Sequence, residues 1–370
     1  MKLADLVKPP KSLGFDAVRL TLIDGLIARG IEVNLYPAGS YVVMRHGMVA
    51  AHGAFGLAQP DAEPPIAASM DTIFDMASVT KSMTGTLLMQ CIEEGKLQLS
   101  QTVGSLLPEA EASPVAHSTL RQLATHTSGL PAWKPLYKSK SPLDEVLHTP
   151  LETEPNTKYT YSDLGYILIG EILARVNAMP LDKLAHQKIY APLGMKQSGY
   201  NPERSLYPMI AATGHSRDRE GEKIIGVVHD ENAHGLGGIA GHAGLFSNAP
   251  DMCRFALALQ YPAAASHFGI PPILGTAAGR TSQHSLIDAH IGSHGVGWFV
   301  WPNPYLPLGD LLSHSAFGHS GFTGTLFVID PEMDVTLILL TNRVYNTGDG
   351  AGVLKLRRLF VNVALGAIVG

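Results

Sequence analysis

Apolar residues recur at spacings of three and four in three segments of the chain, which predicts three amphipathic helices. The first covers residues 14–29 and is expected to end before Gly30. The second covers Ser78 to Glu94, with Gly95 just past its end, and the third lies near the C-terminus. The apolar positions that define these helices are Phe15, Val18, Leu22 and Leu26; Met83, Leu87 and Cys91; and Val353, Leu356, Phe360, Val363 and Ala367.

Short, nearly continuous apolar runs predict strands in the first and last parts of the chain. The runs YVVMRHG and MVAAHGAFG meet at His46-Gly47, which indicates a hairpin. Near the C-terminus, GTLFVID and DVTLILLTN flank a turn at residues 330–334, and their apolar character predicts a sheet covered on both faces. We expect the first and last helices to supply part of this cover.

The middle of the chain has a different pattern. Between residues 101 and 290, short helical segments are interrupted by many Pro and Gly residues, and little alternates as a strand does. We therefore predict an α/β lobe formed by residues 1–100 and 291–370, with a mainly helical (all-α) lobe, residues 101–290, inserted into it. Because a cleft between lobes is a common place for a site, we expect the active site there.

Composition and charge exclude several classes of partner. The chain has 370 residues, of which 45% are hydrophobic and 16% charged, and its formal net charge is -5 with no long run of Lys or Arg. We therefore expect neither a nucleic acid nor an anionic membrane as partner. The N-terminus shows no apolar segment followed by a small-residue cleavage site, so we expect a cytoplasmic protein. No window of about 20 residues is free of charges and turn formers, which argues against a membrane span.

The cysteines and histidines do not indicate a disulfide or a metal. Cys91 and Cys253 lie far apart in apolar helical patterns, so we expect two buried free thiols. His229, His234 and His242 cluster in a Gly-rich segment, but no H-E-x-x-H or C-x-x-C spacing is present. We expect no metal and no cofactor, and the sequence does not indicate the oligomeric state.

Two serines are candidates for a nucleophile. Ser320, in FGHSGFTG, is similar to the G-x-S-x-G elbow, but Phe322 stands where the second glycine is required and a strand-like run follows. Ser78 opens a predicted helix in an S-x-x-K pattern, which places Lys81 on the same helix face. The helix N-terminus would favour an oxyanion beside Ser78, and a desolvated lysine can act as a base. We therefore prefer Ser78; the alternative is an N-cap serine beside a solvated lysine.

A tyrosine later in the chain supports the choice of Ser78. Tyr161 lies in Tyr161-Ser162-Asp163, just before an apolar helix, and is placed to share or relay a proton with Lys81. Its ordinary pKa near 10 makes tyrosine a poor base unless a cation lowers that pKa. Its alternative role is packing.

Three motifs occur in a fixed order along the chain: Ser78-Val-Thr-Lys81, Tyr161-Ser-Asp163 and His319-Ser-Gly321. Together they resemble the S-x-x-K, Y-x-N and K-T-G or H-x-G motifs of the serine β-lactamase and penicillin-binding-protein superfamily, especially its class C branch. That branch includes D-aminopeptidases, muramyl amidases and family VIII carboxylesterases. The resemblance covers about residues 50 to 345 and implies a β-lactamase/transpeptidase-like fold, an antiparallel sheet flanked by helices with the helical lobe inserted. Similar stretches include LATHTSGLP, GYILIGEIL, APLGM and GGIAGHAGLF.

Two positions depart from the motifs of that superfamily. Asp163 stands where an asparagine amide helps to hold substrate amide groups, and a carboxylate only accepts hydrogen bonds. His319 replaces the lysine whose fixed charge would pair with a substrate carboxylate, and histidine is mostly neutral at neutral pH. Both changes weaken the β-lactamase and D-alanyl-peptidase interpretations.

The resemblance implies a cofactor-free serine carboxylesterase that cleaves small, short-chain acyl esters through an acyl-enzyme on Ser78. Lys81 and Tyr161 would form a coupled base, and the N–H groups of Ser78 and Phe322 would form the oxyanion hole. Gly321 would leave room for substrate and His319 would supply a polar group. The further residues expected to contact substrate are Asp163, Ser320, Trp298 and His242; for Trp298 a core position is the alternative.

Two alternatives remain open from the sequence. The first is an amide hydrolase of the same fold, namely a D-aminopeptidase, a muramyl amidase or a weak β-lactamase. The second is a non-catalytic binding or sensor protein that retains the fold. The partner in the leading interpretation is a small-molecule ester, or an amide in the first alternative.

Overall fold

The computed structural model describes residues 2–214, 216–219, 223–303, 308–346 and 350–370. The strands are β1 (Ala38–Arg45), β2 (Met48–Gln59), β3 (Ile66–Ala67), β4 (Phe74–Asp75), β5 (Phe246–Ser247), β6 (Phe299–Val300), β7 (Phe317–Ser320), β8 (Leu326–Asp330) and β9 (Val335–Thr341). The helices are α1 (Leu3–Leu6), α2 (Ala17–Leu20), α3 (Leu22–Glu32), α4 (Thr80–Glu93), α5 (Val103–Leu106), α6 (Leu120–Ala124), α7 (Pro142–Leu147), α8 (Asp163–Val176), α9 (Leu181–Ala185), α10 (Ala191–Leu193), α11 (Glu231–Gly235), α12 (Ala249–Gln260), α13 (Pro262–His267), α14 (Thr276–Gln283) and α15 (Gly350–Gly366).

A seven-stranded antiparallel sheet has the strand order β3-β2-β1-β9-β8-β7-β6. The β1–β2 hairpin turns at His46 and Gly47, which have φ of 55° and 72°, as a two-residue hairpin turn requires. The β8–β9 hairpin pairs Asp330 with Val335 across the predicted turn. Both predicted hairpins are confirmed. Strands from the two ends of the chain meet where β1 pairs with β9.

The sheet is covered on both faces, as its apolar strands predicted. Tyr41 and Val43 of β1 pack in a cluster with Phe360 of α15 and with residues of α3. Val42 and Met44, the alternate residues of the same strand, pack in a larger cluster with residues of α4, α8 and α12. Because side chains alternate across a strand, one strand contributes to both cores. The antiparallel sheet with flanking helices is the β-lactamase/transpeptidase-like fold expected from the sequence.

The predicted first helix is wrong in its bounds and in its buried face. Residues 14–29 form two helices, α2 and α3, and α3 continues to Glu32 rather than ending before Gly30. Val18 and Leu22 are 77% and 61% exposed, whereas Ile23 and Ile27 are buried. The segment has apolar residues on more than one side of the helix. Spacing alone does not show which side packs against the sheet, and in the structure it is the side of Ile23 and Ile27.

The second and third predicted helices correspond to α4 and α15. Met83, Leu87 and Cys91 are buried in α4 as expected, and Cys91 and Cys253 are free, buried thiols. However, α4 begins at Thr80, so Ser78 lies in the 3₁₀ turn Ala77–Val79 that precedes the helix.

Helices α5–α14 and the short strand β5 lie between residues 103 and 283, in the part predicted to be mainly helical. The division into two lobes stays a prediction. Across the described ranges, no single helix is long and apolar enough to span a membrane; one bent pair, Asp163–Val176 with Leu181–Leu193, meets the length and composition criterion jointly.

Candidate active site

Ser78 is presented to a cavity of about 980 Å³ by a tight turn at the start of α4. Ala77, the residue before it, has φ of 45°, a conformation that L-residues adopt at a cost of about 1–2 kcal/mol. The Asp75 carboxylate holds this turn, because it accepts the Ala77 N–H at 2.8 Å and the His229 N–H at 2.7 Å. Thr80 adds a hydroxyl bond to the Ala77 carbonyl at 2.6 Å. The strained turn is therefore fixed from both sides.

Lys81 lies one helical turn after Ser78 and is fully buried. Its Nζ donates to Ser78 Oγ at 3.1 Å, to Asp163 Oδ1 at 2.6 Å and to the His242 carbonyl at 3.2 Å. An ammonium has three N–H donors, so these three contacts use all of them. The predicted proximity of Ser78 and Lys81 is thus present, and Asp163 supplies the counter-charge.

Asp163 has a different role from the substrate contact that was expected. It borders the cavity, but its Oδ1 forms the ion pair with Lys81, and its side chain is 18% exposed. Asp163 stands where the superfamily motif has an asparagine whose amide helps to hold substrate, which is why a substrate contact was expected. The position at the first residue of α8 instead brings the carboxylate to the buried ammonium of α4.

Tyr161 completes the group around Ser78. It lines the cavity beside Ser78, and Lys81 Nζ lies 4.8 Å from the centre of its ring. Burial raises the pKa of Tyr161 well above its usual value, and the charge of Asp163 raises it further, while the nearby Ser78 hydroxyl lowers it. Ser78, Lys81 and Tyr161 therefore form one connected cluster, as the motifs predicted.

The turn between β7 and β8 is attached to the strand that leads to Ser78. Thr323 Oγ1 donates to the Asp75 carbonyl at 2.6 Å, and Thr325 Oγ1 donates to the Met76 carbonyl at 3.0 Å. A Cβ atom at Gly321 would collide with the Met76 carbonyl and the Thr325 hydroxyl, so glycine is required for this close approach. These bonds fix the distance between the third motif and Ser78.

Two backbone N–H groups meet the requirements of the expected oxyanion hole. Those of Ser78 and Phe322 donate to no protein acceptor within the described ranges, and both residues line the cavity. Phe322 follows β7 in a turn rather than on the strand edge, and its side chain is 63% exposed. Free donors beside the nucleophile are suited to stabilising a developing oxyanion.

Two of the expected substrate contacts, Trp298 and His242, are wrong, and the polar group of His319 does not line the cavity. Trp298 is fully buried and packs on Phe255 and Phe317, so it belongs to the core, the alternative left open by the sequence. His242 is also buried, with Nε2 2.9 Å from Asp230 Oδ1. His319 is fully buried behind the cavity wall, and its Nδ1 lies 2.9 Å from the Ser320 carbonyl.

Ser320, by contrast, lines the cavity, as expected for a residue in contact with substrate. Strand alternation explains this difference between Ser320 and His319, because consecutive side chains of β7 point to opposite faces of the sheet.

Arginines that sequence reasoning missed form one wall of the cavity. Arg357 of α15 is buried, and its Nη2 donates to the Gly321 and Thr325 carbonyls at 2.6 and 2.9 Å. Burial and the nearby Arg343 lower the pKa of Arg357 to about 9. Among the described residues, neither Arg343 nor Arg357 has an acidic partner within ion-pair distance. The only available signal was a basic residue on the apolar face of a predicted helix.

The remaining cavity wall is largely aromatic and aliphatic. The guanidinium of Arg217 lies 4.6 Å from the centre of the Trp133 ring. Arg217 is neutralised by an ion pair with Glu231 at 2.7 Å. In the part of the chain that the structure describes, no three His, Cys, Asp or Glu side chains are grouped to hold a metal ion. The other apolar residues that line the cavity are Tyr137, Phe299, Val353 and Leu354.

Three buried histidines near Tyr161 make the stability of the fold sensitive to acid. Burial is the main cause that lowers the pKa of His126, His294 and His319, to about 3 for His294, and the charge of Lys81 lowers all three further. The unfolded chain takes up a proton at each ring near pH 6.5 and the folded protein does not. Their stabilising effect is therefore complete above about pH 6.5 and is lost as the pH falls, by about 1.4 kcal/mol per pH unit for each ring.

The carboxyl group of Asp75 has the opposite effect on the stability of the fold as the pH falls. Burial raises the pKa of Asp75 to about 6, so the folded protein gains a proton there over the same range and offsets one histidine. We expect the free energy of unfolding to fall by about 3 kcal/mol per pH unit near pH 5, as measured by urea denaturation. The His294→Asn variant removes one of the three rings, so it should reduce this slope by about 1.4 kcal/mol per pH unit. A free energy of unfolding that is constant between about pH 7 and 5 would contradict the burial of neutral histidines.

Comparisons with known proteins identify the family and the fold. A family model described as Beta-lactamase matches residues 23–362. A relative from Salmonella enteritidis PT4 (strain P125109), named "Putative D-alanyl-D-alanine carboxypeptidase", is 32% identical over an alignment of 380 positions that covers 92% of this chain and 86% of the relative.

Two solved structures share the fold. One is EstCE1, described as a hydrolase with promiscuous acyltransferase activity, with a TM-score of 0.74 and 20% identity over 94% of this chain and 98% of its own. The other is an octameric penicillin-binding protein homologue from Pyrococcus abyssi, with a TM-score of 0.70 and 21% identity over 94% of this chain and 77% of its own. At this identity the two structures support the architecture alone.

Proposed function

Because the chain belongs to the beta-lactamase family and has the fold of its serine hydrolases, we propose that it cleaves small carboxylic esters through an acyl-enzyme on Ser78. The observation that carries this proposal is the cluster at the cavity. Ser78 Oγ accepts a hydrogen bond from Lys81 Nζ, and it lies in the same cavity wall as Tyr161 and the free N–H groups of Ser78 and Phe322. The groups proposed as nucleophile, base and oxyanion donors thus lie close together.

In the first half of the reaction, Ser78 Oγ attacks the ester carbonyl carbon. The hydroxyl proton passes to the Lys81–Tyr161 pair, and the N–H groups of Ser78 and Phe322 stabilise the tetrahedral oxyanion. When the C–O bond to the leaving group breaks, the pair returns a proton to the alkoxide, which leaves as an alcohol. The acyl group remains on Ser78 Oγ.

In the second half, water attacks the acyl carbon and the pair accepts one proton from it. Collapse of the second tetrahedral intermediate breaks the bond to Ser78 Oγ, and the proton returns to Ser78. The product is a carboxylic acid. The pair must therefore begin each half of the reaction with one proton fewer than its fully protonated form.

Two features favour esters over amides. An alkoxide leaves with less protonation than an amine does, so the reaction places a smaller demand on a buried tyrosine whose pKa is raised. In addition, Asp163 is committed to Lys81 and His319 is buried, so neither side chain presents a fixed donor to a substrate amide or carboxylate.

The test of the proposal is a substrate panel. We expect p-nitrophenyl acetate and butyrate to be cleaved with higher kcat/KM than nitrocefin or a D-amino-acid p-nitroanilide, because the site provides no fixed amide donor. Covalent labelling of Ser78 by a fluorophosphonate is expected as well, and its absence would favour a non-catalytic binding protein.

A specific observation favours a second candidate, an amide hydrolase that acts on a substrate with a free carboxylate. Arg343 and Arg357 line the cavity without an acidic partner among the described residues, and the Salmonella relative carries a carboxypeptidase name. A carboxylate bound beside Phe322 would neutralise this wall. If the protein is such an amide hydrolase, D-alanyl-D-alanine peptides should be cleaved faster than aryl esters.

The Arg343→Met variant tests whether the cationic wall selects substrate. If it does, kcat/KM for a substrate with a free carboxylate should fall about 10-fold or more, while that for its methyl ester is unchanged. Arg217→Met is the matched control, since Arg217 lines the same cavity but is already neutralised by Glu231. An equal loss on both substrates would mean that Arg343 supports the Phe322 turn and does not bind a carboxylate.

A further inference from the structure

His126 lies in the loop that follows α6 and contacts three consecutive residues around Tyr161. Its carbonyl accepts the Thr160 N–H at 2.9 Å, and its Nδ1 accepts the Ser162 N–H at 2.9 Å. Between these two bonds, the imidazole ring packs against the Tyr161 ring with 4.5 Å between centroids. One residue therefore holds the backbone on both sides of Tyr161 as well as its ring.

The rest of the environment leaves Tyr161 little freedom to move. Phe299 also stacks on the Tyr161 ring, at 5.4 Å between centroids with an interplanar angle of 21°. The same loop also fixes the next residues, because the Pro131 carbonyl accepts the Ser162 hydroxyl at 2.7 Å and the Ala132 carbonyl accepts the Asp163 N–H at 3.0 Å. The loop after α6 thus sets the position at which the tyrosine hydroxyl meets Ser78.

The contact with Ser162 determines the tautomer of His126. To accept an N–H, Nδ1 must carry a lone pair, so the single ring proton is on Nε2. Protonation of Nδ1 would break this bond and add a second cation near Lys81. Burial and His294, Lys81 and His319 lower the pKa of His126 well below its usual range. The titratable groups that surround the ring are Lys81 of α4, Tyr166 of α8, His319 of β7, His294 before β6, and Tyr159 and Tyr161 of the segment it contacts.

We propose that His126 is a positioning residue of the reaction: as a neutral acceptor for Ser162 N–H, it fixes Tyr161 in its place beside Ser78. This inference rests on the proposed role of Tyr161 but not on the choice of an ester as substrate. The side chain does not touch the reacting atoms. Its effect is transmitted through the backbone at Thr160 and Ser162 and through the face of the tyrosine ring.

The experiment compares two substitutions at His126. Asn places an amide oxygen near the position of Nδ1 and preserves the acceptor, whereas Leu fills similar space without one. Because His126 has φ of 59°, Leu also strains the backbone more than Asn does, and the melting temperature reports that separate cost. We expect His126→Leu to lower kcat by about 100-fold with KM changed by less than about 3-fold, because a misplacement near 1 Å has an effect of that size. His126→Asn should recover kcat to within about 5-fold of the wild type.

Tyr159→Phe is the matched control for general damage to this buried region. It removes a hydroxyl 3.1 Å from His294 Nδ1 but leaves the bonds to Thr160 and Ser162 unchanged. We expect a lower melting temperature for both Tyr159→Phe and His126→Leu, with kcat reduced only in the latter. Equal losses of kcat in His126→Asn and His126→Leu would overturn the proposal. So would a normal kcat together with a lowered melting temperature in His126→Leu.

A second measurement separates this inference from the proposed ester specificity. The rate of fluorophosphonate labelling at Ser78 depends on activation of the nucleophile and not on the natural substrate. The Leu variant should label about 100-fold more slowly than the wild type, and the Asn variant at nearly the wild-type rate. If esters prove poor substrates, this order of labelling rates still supports the role of His126, and equal rates in all three proteins overturn it.

Discussion

The Ser78→Ala variant is expected to lose at least about 10⁴-fold in kcat on p-nitrophenyl acetate, while Ser320→Ala retains at least about a third of the wild-type value. The reason is the different surroundings of the two hydroxyls. Ser78 Oγ accepts a hydrogen bond from Lys81 Nζ and lies beside Tyr161 in the cavity wall, and these two residues would accept its proton. Ser320 lines the same cavity, but the imidazole of His319 contacts its carbonyl, and no hydrogen bond joins the Ser320 hydroxyl to a base in the described part of the chain.

The two serines form a matched pair, since both face the cavity and both substitutions remove one oxygen atom. Circular dichroism and melting temperature should show that each variant is folded. Because Ser78 donates no side-chain bond that holds its turn, the folded state does not depend on its hydroxyl. Turnover that survives in Ser78→Ala but is lost in Ser320→Ala would reverse the assignment of the nucleophile.

The second large effect concerns the buried ion pair. Asp163→Ala should destabilise the protein by about 3 kcal/mol in urea denaturation, because it leaves the fully buried Lys81 ammonium without a counter-charge. Asp163→Asn also removes the counter-charge, but it should lose less than Asp163→Ala because its amide oxygen can still accept the hydrogen bond from Lys81 Nζ. Similar stability in the wild type and Asp163→Ala would mean that Lys81 is neutral in the folded protein.

The Asn variant also tests the proton balance of the Lys81–Tyr161 pair. The Asp163 carboxylate raises the pKa of Tyr161, so its removal lowers that pKa and makes the deprotonated form of the pair easier to reach. We expect the acid limb of kcat/KM to move to lower pH in Asp163→Asn. An acid limb that stays in place or moves to higher pH would show that Asp163 does not act on the catalytic proton.

Features that depend on local spacing could be predicted from the sequence. The three-residue interval from Ser78 to Lys81 places both side chains on one face of a helical turn, and the structure has Oγ and Nζ 3.1 Å apart. The hairpin at His46-Gly47 was equally local, because its turn needs two residues with positive φ. Motif order then brought Tyr161 into the same group.

Features that depend on packing between distant parts of the chain could not be predicted from the sequence. Trp298 was expected near substrate because of its position in the sequence, yet the pairing of β6 with β7 turns it into the core. The partner of Lys81 was missed because Asp163 reaches it from another helix, 82 positions later. Arg357 gave no signal beyond its charge, and only the placement of α15 beside β7 and β8 brings its guanidinium to the Gly321 carbonyl.

His126 illustrates a further limit of sequence reasoning. It lies in LATHTSGLP, a stretch that was recognised by resemblance but assigned no chemistry. Its contact with Ser162 spans 36 positions and depends on a left-handed backbone with φ of 59° at His126 itself. Such a conformation is uncommon for a residue other than glycine, and nothing in the spacing of neighbouring residues indicates it.

The central claim is that the reaction passes through an ester bond to Ser78. It is tested most directly by acid-quenching the protein during turnover of p-nitrophenyl butyrate and mapping the modified peptide by mass spectrometry. The account predicts a butyryl group on the peptide that contains Ser78, absent from Ser78→Ala. A butyryl group on Ser320, or turnover with no acylated peptide at any time after mixing, would contradict it.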